Sequence, residues 1–589
     1  MDFFNVLTLF GGLALFLYGM NLMGNGLESS SGGKLEKLLE KLTSNPLKAV
    51  LLGTGVTAII QSSSATTVMV VGFVNSGIMK LTQAVGIIMG ANIGTTVTSW
   101  ILSLTGIESN NFYIKLLKPS TFSPLLALIG AILLLFFKSE KKKNIGSIFV
   151  GFAILMFGMD TMSTAVKPLA DVPEFTNILT MFELPLLGLL AGAILTAIIQ
   201  SSSASVGILQ ALCLTGTISF SVAIPIIMGQ NIGTCITAMI SSIGANKNAK
   251  RAALIHLYFN LIGTTVFMIL FYTVNFFVKF SFLDDMVNPA GIAVVHSIFN
   301  VTATLLLLPF SKGLVKLASM SIREKKHETI DTENNEFQLL DIRFLDKTSF
   351  ATEQCKNVTV NMAELTRNSL FKAMSLLENY DPVIEKEIRE MEDKVDKYED
   401  ELGSYLVKLS SKNLSEKDSR TISILLHCIG DFERISDHAT NIMEAAKEMY
   451  SKKLRFSDEA LQEISVFAQA VQEIVDTSFN VFEMDNIELA SSVEPLEEVI
   501  DELNEKLKKR HIQRLRMGSC TIEMGFVLSD IINNFERISD HCSNIAIWLL
   551  QSKEDGMDTH EYIYKLKQGT NEKFQKQYNQ FKEKYQLPA

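Results

Sequence analysis

Gln61-Ser62-Ser63-Ser64 and Asn92-Ile-Gly-Thr95 place amides and hydroxyls inside stretches that are otherwise apolar. Both strings return 139 residues later, as Gln200-Ser201-Ser202-Ser203 and Asn231-Ile-Gly-Thr234. Hydroxyls and side-chain amides both donate and accept hydrogen bonds, so this set can serve an anion and a small cation together. Gly90, Gly94, Gly229 and Gly233 allow close backbone approach around the two asparagines. Small hydroxylated residues also line ordinary helix contacts in membranes. A packing seam needs neither Gln nor Asn, however, and burying two such amides at matched positions is costly without partners. No Lys or Arg lies near these strings within the apolar segments. A doubly charged anion held there needs co-bound cations for neutrality. Asp160 is the main candidate intramembrane carboxylate, read either as a cation ligand or as a helix-end charge. His256 and His296 each sit one turn from an asparagine and read as hydrogen-bonded core residues rather than proton carriers.

A second repeated pattern lies in the charged half of the chain. Asp431-Phe-Glu433-Arg434-Ile-Ser-Asp437-His438-x-x-Asn441 recurs as Asn534-Phe-Glu536-Arg537-Ile-Ser-Asp540-His541-x-x-Asn544, an offset of 103. Upstream, Glu392 with Asp396 recurs as Glu497 with Asp501, an offset of 105. Residues four apart share a helix face, so Glu392/Asp396, Glu433/Asp437, Glu497/Asp501 and Glu536/Asp540 each aim two carboxylates at one place. That is metal-site chemistry, with oxygen ligands pointing to Mg²⁺, Mn²⁺ or iron rather than thiolate-bound Zn²⁺. The alternatives are a structural polar core, or internal pairing of the acids with Arg434 and Arg537.

Long helices must position both sets. Nine apolar segments of roughly membrane-spanning length lie between Phe3 and Phe310, and long charged amphipathic helices follow from about Phe344. Up to Ser321 there are 18 basic against 12 acidic residues, and beyond it 35 against 51, so the halves suit different solvents. The expected organisation is all-α. A membrane domain covers 1–321, with repeat one at 1–138, repeat two at 140–280 and a final helix at 290–310; then come a linker at 322–343, a helical domain at 344–550 and a charged tail at 551–589. The first apolar segment has no basic n-region and no cleavage site, and is expected to remain as an anchor. Six cysteines in no metal-site spacing read as free thiols, two in the membrane and four facing a reducing cytosol.

Basic residues cluster at Lys34 to Lys48, Lys138 to Lys143, Lys247 to Arg251, and Lys312 with Lys316. If every apolar segment crossed the membrane, the first two clusters would fall on opposite sides, against the positive-inside rule. If the two Gln-Ser-Ser-Ser segments enter and return on one side, all four clusters lie inside, and Lys115, Lys118, Lys167 and Lys279 remain outside. Three crossings then separate equivalent segments, so the two copies are inverted in topology, an architecture of secondary transporters. Helices broken near the midplane offer N–H groups to an anion and carbonyls to a cation.

The paired Gln-Ser-Ser-Ser strings, with Gly90-Ala-Asn-Ile-Gly-Thr95 and Gly229-Gln-Asn-Ile-Gly-Thr234, closely resemble the sodium-dependent phosphate cotransporters of the type II class and their bacterial relatives. The resemblance implies that Ser62, Ser63 and Ser64 with Ser201, Ser202 and Ser203 face phosphate at hairpin tips. It also implies that Gln61, Gln200, Asn92, Thr95, Asn231 and Thr234 complete phosphate and sodium coordination. Gln230 departs from the family's usual Ala or Ser. The second half, about Phe344 to Trp548, resembles PhoU, a cytoplasmic two-repeat regulator of phosphate uptake whose similar motifs hold metal clusters. The resulting expectation is a non-enzymatic secondary transporter in a bacterial cytoplasmic membrane, coupling Na⁺ to inorganic phosphate and regulated by its cytoplasmic domain. Its partners would be phosphate, sodium, lipid and a possible second copy in a homodimer, with no nucleic acid. The rival readings are export of phosphate or another small anion, and a membrane-tethered phosphate sensor.

Overall fold

A computed structural model of the chain describes residues 3–31, 39, 45–106, 118–168, 172, 181–323, 337–551 and 572–588. Lys34, Lys37, Lys41, Lys115 and most of the expected linker lie outside the described residues. Within them the regular elements are helical, and Ser219 with Met286 form an isolated bridge. The chain divides into two compact units after Phe344.

The membrane unit begins with α1 (Phe3–Ser31), α2 (Pro46–Ile60), α3 (Ser63–Asn75), α4 (Leu81–Ser103), α5 (Pro119–Phe136) and α6 (Glu140–Val166). It continues with α7 (Pro185–Ile199), α8 (Ser202–Cys213), α9 (Phe220–Gly233), α10 (Cys235–Ser241), α11 (Lys247–Val278), α12 (Pro289–Leu307) and α13 (Ser311–Ser321). Among the described residues six spans, Phe3–Ser31, Leu81–Gly106, Glu140–Val166, Phe220–Ser241, Lys247–Val278 and Pro289–Ser321, are long and apolar enough to cross a membrane. Leu135, Phe276 and Phe277 stand 76–78% exposed, as suits side chains that face lipid. With no hydrophobic drive between helices in lipid, close packing needs small residues at the contacts. Accordingly α1 and α6 meet along glycines: a Cβ on Gly19 would sit 2.3 Å from the Leu155 nitrogen, and one on Gly158 2.4 Å from that of Phe16. Gly12 lies against Met162 and Gly26 against Asn144, so the two helices run antiparallel.

The chain from α2 to α4 repeats in α7 to α9. A Cβ on Gly90 would reach 2.0 Å from the Val50 carbonyl oxygen, and one on Gly229 2.0 Å from that of Leu189. Gly94 abuts Thr54 as Gly233 abuts Ala193, so α2 lies parallel to α4, and α7 parallel to α9. At 15 and 13 residues, α2 and α3 are each about 20 Å long, too short to cross hydrocarbon about 30 Å thick. The start of α2 lies beside Gly86, and α3 leads through a five-residue turn into Leu81, so this pair enters and leaves at one end. The α7–α8 pair does likewise: Gly188 lies against Pro225, and α8 runs into Phe220.

The helical unit has two three-helix groups, α14 (Thr348–Leu376) with α15 (Pro382–Ser410) and α16 (Glu416–Lys452), then α17 (Asp458–Met484) with α18 (Val493–Arg516) and α19 (Ile522–Gln551). Each group alone leaves an apolar stripe, and α16 against α19 closes the core. Phe432 of α16 sits edge-on to Phe479 and Phe482 of α17, at 4.9 and 5.2 Å between ring centroids. Side-chain caps from Asp381, Ser415 and Ser457 start α15, α16 and α17, each contributing about 1 kcal/mol. The charged tail ends in α20 (Glu572–Lys584), which docks through buried Phe574 and Tyr585 and through Lys582 and Lys584 on Glu502 and Glu473. All six cysteines are free thiols.

Candidate functional site

Two helix breaks define the site. Gln61 and Gln200 both adopt left-handed backbone, φ 61° and 60°, between α2 and α3 and between α7 and α8. The next helix starts at once, and Ser62 Oγ caps it by accepting the Ala65 N–H at 3.1 Å, as Ser201 Oγ accepts that of Ala204 at 3.2 Å. A capping hydroxyl keeps its own proton, so Ser62 and Ser201 can still donate to an anion over the first, unpaired N–H groups of α3 and α8. The tips meet: the Ser64 hydroxyl lies 3.4 Å from the Gln200 carbonyl oxygen.

The copies differ in how the tips are braced. Gln61 is 5% exposed; its amide nitrogen donates to the Ala58 carbonyl, and its oxygen accepts the Thr98 hydroxyl at 3.0 Å. Thr57 donates to Thr66 at 3.0 Å across the same break. In the second copy Gln200 is exposed, and the hydroxyls of Thr196, Ser205 and Thr237, equivalent to Thr57, Thr66 and Thr98, are buried without a protein partner. Hairpin one is thus tied to its scaffold, while hairpin two has the same groups unspent.

Behind the tips, the Thr95 hydroxyl donates to the Ala91 carbonyl at 3.1 Å and that of Thr234 to Gln230 at 3.0 Å. Asn92 Nδ2 donates to Asn260 Oδ1 at 2.6 Å. With their protons committed, both threonines and Asn92 have oxygen lone pairs left over, the chemistry of a cation ligand. Asp160 is exposed on α6. Of the two histidines expected to be hydrogen-bonded, His296 Nδ1 meets Ser99 Oγ at 2.8 Å, whereas His256 has no partner at either ring nitrogen. The position equivalent to Ser99 in the second copy is Ala238, which has no hydroxyl to offer. Thr57 and Thr98 recur as Thr196 and Thr237 at the same 139-residue offset, and Thr66 as Ser205, so the repeat carries a signal for them beyond the strings singled out above.

In the helical unit, Glu392, Asp396 and Asp437 bring one carboxylate oxygen each within 4.8 Å of one another, and Glu497, Asp501 and Asp540 do the same. Oxygens so spaced fit around one hard cation at about 2.0–2.5 Å. Glu433 and Glu536 lie outside these triads: Glu433 pairs with Arg434 at 3.5 Å, and Glu536 accepts from the Asn504 amide. Arg537 also reaches Asp540, at 3.3 Å. Burial, then the neighbouring carboxylates, push Glu392 and Asp396 up, and burial with Asp437 lifts Glu433 to about 7. A cation held by the triads would relieve that repulsion.

A bundle of lipid-length helices, duplicated and broken at two meeting hydroxyl-rich tips, defines a polytopic transporter of small ions. The description Na+/Pi-cotransporter matches residues 15–164 and 154–285, and that of the PhoU domain residues 359–446 and 464–549. The chain belongs to the Na+/Pi-cotransporter family of phosphate transporters, with a PhoU domain in its second half. It is 24% identical over 562 residues to YjbB of Salmonella typhimurium, named as a candidate inorganic phosphate export protein, covering 95% of this chain and 99% of that one. YqeW of Bacillus subtilis is 32% identical over 315 residues, 53% of this chain and 97% of YqeW. The sodium-dependent phosphate transport protein 2A of Rattus norvegicus is 37% identical over 97 residues, 16% of this chain and 15% of the rat protein.

Proposed function

We propose that the chain moves inorganic phosphate across the cytoplasmic membrane in company with Na⁺, by alternating access between two inverted copies. The meeting of Ser64 with the Gln200 carbonyl carries this reading, because it joins two helix N-termini and six serines into one place for an anion. The leftover oxygens of Asn92, Thr95 and Thr234 support cation binding beside it. The antiparallel α1 and α6, equivalent helices at the 139-residue offset, support the inversion. Lys48, Lys80, Lys247, Lys250 and Arg251 sit where hairpin one opens, which supports a cytoplasmic end there. We assign Gln61, Ser62, Ser63, Ser64, Asn92, Thr95 and their counterparts Gln200, Ser201, Ser202, Ser203, Asn231 and Thr234 to the transport site. The two acidic triads are assigned to a divalent metal or iron through which the helical unit regulates flux.

The test is phosphate flux in proteoliposomes under an imposed Na⁺ gradient, with choline as control. Flux that follows the Na⁺ gradient supports coupling; flux indifferent to it removes Na⁺ from the mechanism. Likeness to YjbB over the full length favours a second reading, outward transport. Loading phosphate on either face separates the two.

A further inference from the structure

Three hydrogen bonds brace the first copy, and the matching groups stand unjoined in the second. Asn92 Nδ2 donates to Asn260 Oδ1 at 2.6 Å, Thr57 to Thr66 at 3.0 Å, and Thr98 to Gln61 Oε1 at 3.0 Å. The 139-residue offset carries Asn92, Thr57, Thr66, Thr98 and Gln61 onto Asn231, Thr196, Ser205, Thr237 and Gln200. Asn260 has its counterpart 40 residues on. Phe259 beside it packs with Val85 and Met89 of α4, and Phe299 packs with Ile224 and Met228 of α9, the residues 139 beyond those two. Asn300 therefore stands to Asn231 as Asn260 stands to Asn92. Asn231 Nδ2, Asn300 Oδ1 and the hydroxyls of Thr196, Ser205 and Thr237 are nevertheless buried without a partner among the described residues, and Gln200 is exposed. Within a membrane bundle such unpaired groups are costly.

Composition does not account for the difference, because both copies carry the same amides and hydroxyls. Helix shape does. α4 runs unbroken from Leu81 to Ser103, whereas its counterpart divides at Thr234 into α9 and α10. Asn231 lies before that division and Thr237 after it, so they lose the register that Asn92 and Thr98 share on one continuous helix. Pro225, at the place of Gly86, also removes a backbone hydrogen bond from α9. A helix interrupted at these points is the part of the bundle best able to change shape. The tips supply a reason for it to wait. α3 and α8 bring together two N-terminal ends that both carry partial positive charge. Drawing them closer is opposed while they are unloaded, and an anion between them turns that repulsion into attraction.

We propose that hairpin two is the moving gate of the transport site, and that it closes on a bound anion by forming the three bonds that hairpin one already holds: Asn231 to Asn300, Thr196 to Ser205, and Thr237 to Gln200. Asn300 and Thr237 are then positioning residues, acting through Asn231 and Gln200. The proposal rests on the phosphate-transport reading and deepens it by naming the half that moves.

Paired cysteines read closure directly. T57C/T66C replaces two hydroxyls 3.0 Å apart, a separation that puts their Cβ atoms near disulfide reach, and T196C/S205C replaces the counterparts. The full chain in proteoliposomes is treated with a mild oxidant and the joined peptides are followed by mass spectrometry, the six native free thiols of the parent setting the background. T57C/T66C should join at one rate in every condition. T196C/S205C should join about tenfold faster with Na⁺ and inorganic phosphate than with choline and no phosphate. Equal rates for T196C/S205C in the two conditions, or load-dependent joining of T57C/T66C, overturn the proposal. T237V keeps the side chain's shape and removes its hydroxyl; it should lower maximal phosphate flux about three- to tenfold with the unfolding midpoint unmoved, and T237S should restore flux. T98V breaks a bond already made and should lower the midpoint. If the cysteine pairs fail to assemble, T237V decides, and unchanged flux there overturns the proposal. Phosphate flux in the parent with an indifferent T196C/S205C sinks the gate and leaves the transport reading standing; a phosphate-driven cross-link in a chain that moves no phosphate does the reverse.

Discussion

The carboxylate of Asp341 accepts a hydrogen bond from the Asn75 amide at 2.7 Å, tying the last residues of the membrane unit to the final turn of hairpin one. Asn75 in turn holds the start of α11, its side-chain oxygen accepting the Asn246 N–H at 2.8 Å and its carbonyl the Asn246 amide at 2.7 Å. Arg343 bonds Asp341 and the Ser241 carbonyl, at 2.6 and 2.9 Å. Fully buried Phe344 lies 5.4 Å from the Phe73 ring, over a gap that Gly72 leaves open. The segment just before the helical unit is therefore a built part of the hairpin's end.

Removing the Phe344 ring should loosen that end first. Phe344→Ala leaves a cavity where a whole aromatic side chain was buried, a loss of about 3–5 kcal/mol. Hydrogen exchange should speed up across residues 72–76 and 337–344 and stay unchanged in α16. Uniform acceleration across the chain, or none at the hairpin, would contradict a local clamp.

Gly90→Ala and Gly229→Ala each drive a methyl group to 2.0 Å from a backbone carbonyl that has no flexible end to yield. The helices must part, at a cost of about 1–3 kcal/mol or more, and the hairpin shifts off its register. Gly55 has nothing within 4 Å of its built Cβ, so Gly55→Ala is the matched control. Thermal unfolding in detergent should drop for the first two and hold or rise for the third. Equal midpoints for all three would refute close packing as the role of Gly90 and Gly229.

Much of this was legible in the residues because duplication made it so. A string such as Gln61 to Ser64 means little once, and its return at Gln200 to Ser203 is hard to explain without a shared structural task. The helix breaks followed from charge bookkeeping, since Lys138 to Lys143 could not otherwise share a side with Lys48. What stayed hidden depends on contacts far apart in sequence. Nothing local tells Thr98 that it braces Gln61, or Asp341 that it meets Asn75, 266 residues away. The grouping of Glu392 and Asp396 with Asp437 rather than Glu433 likewise turns on how α15 rotates against α16, which helical periodicity leaves open.

Ser62→Ala and Ser201→Ala test whether the caps also serve the anion. Loss of a cap alone costs about 1 kcal/mol of stability. Loss of a hydrogen bond to a charged group removes about 1.5–3 kcal/mol, so the phosphate KM should rise roughly ten- to a hundredfold while the unfolding midpoint moves only slightly. Threonine at either position restores both cap and donor and should recover most of the affinity. If KM stays put while stability falls, the serines only cap.

The acidic triads predict a pH-dependent stability of definite sign. Burial and Asp437 raise Glu433 to about 7 in the folded state from an ordinary value of 4.5, and Glu392 and Asp396 move the same way. A carboxyl raised on folding binds its proton more tightly in the native state than in the unfolded one, so stability must fall as pH climbs from about 4.5 to about 7. Followed through Trp548 emission in the full chain carrying W100F, with chelator present, the helical unit should unfold at lower temperature at pH 8 than at pH 5. Mn²⁺ or Mg²⁺ should recover the difference at pH 8 and do little at pH 5, where protons compete for the same oxygens. Asp396→Asn should flatten the pH slope of its own triad and weaken the metal response, while Glu401→Gln, outside both triads, should leave the two intact. A slope of opposite sign, or metal stabilisation independent of pH, would show that these carboxylates are compensated by Arg434 and Arg537 rather than waiting for a cation.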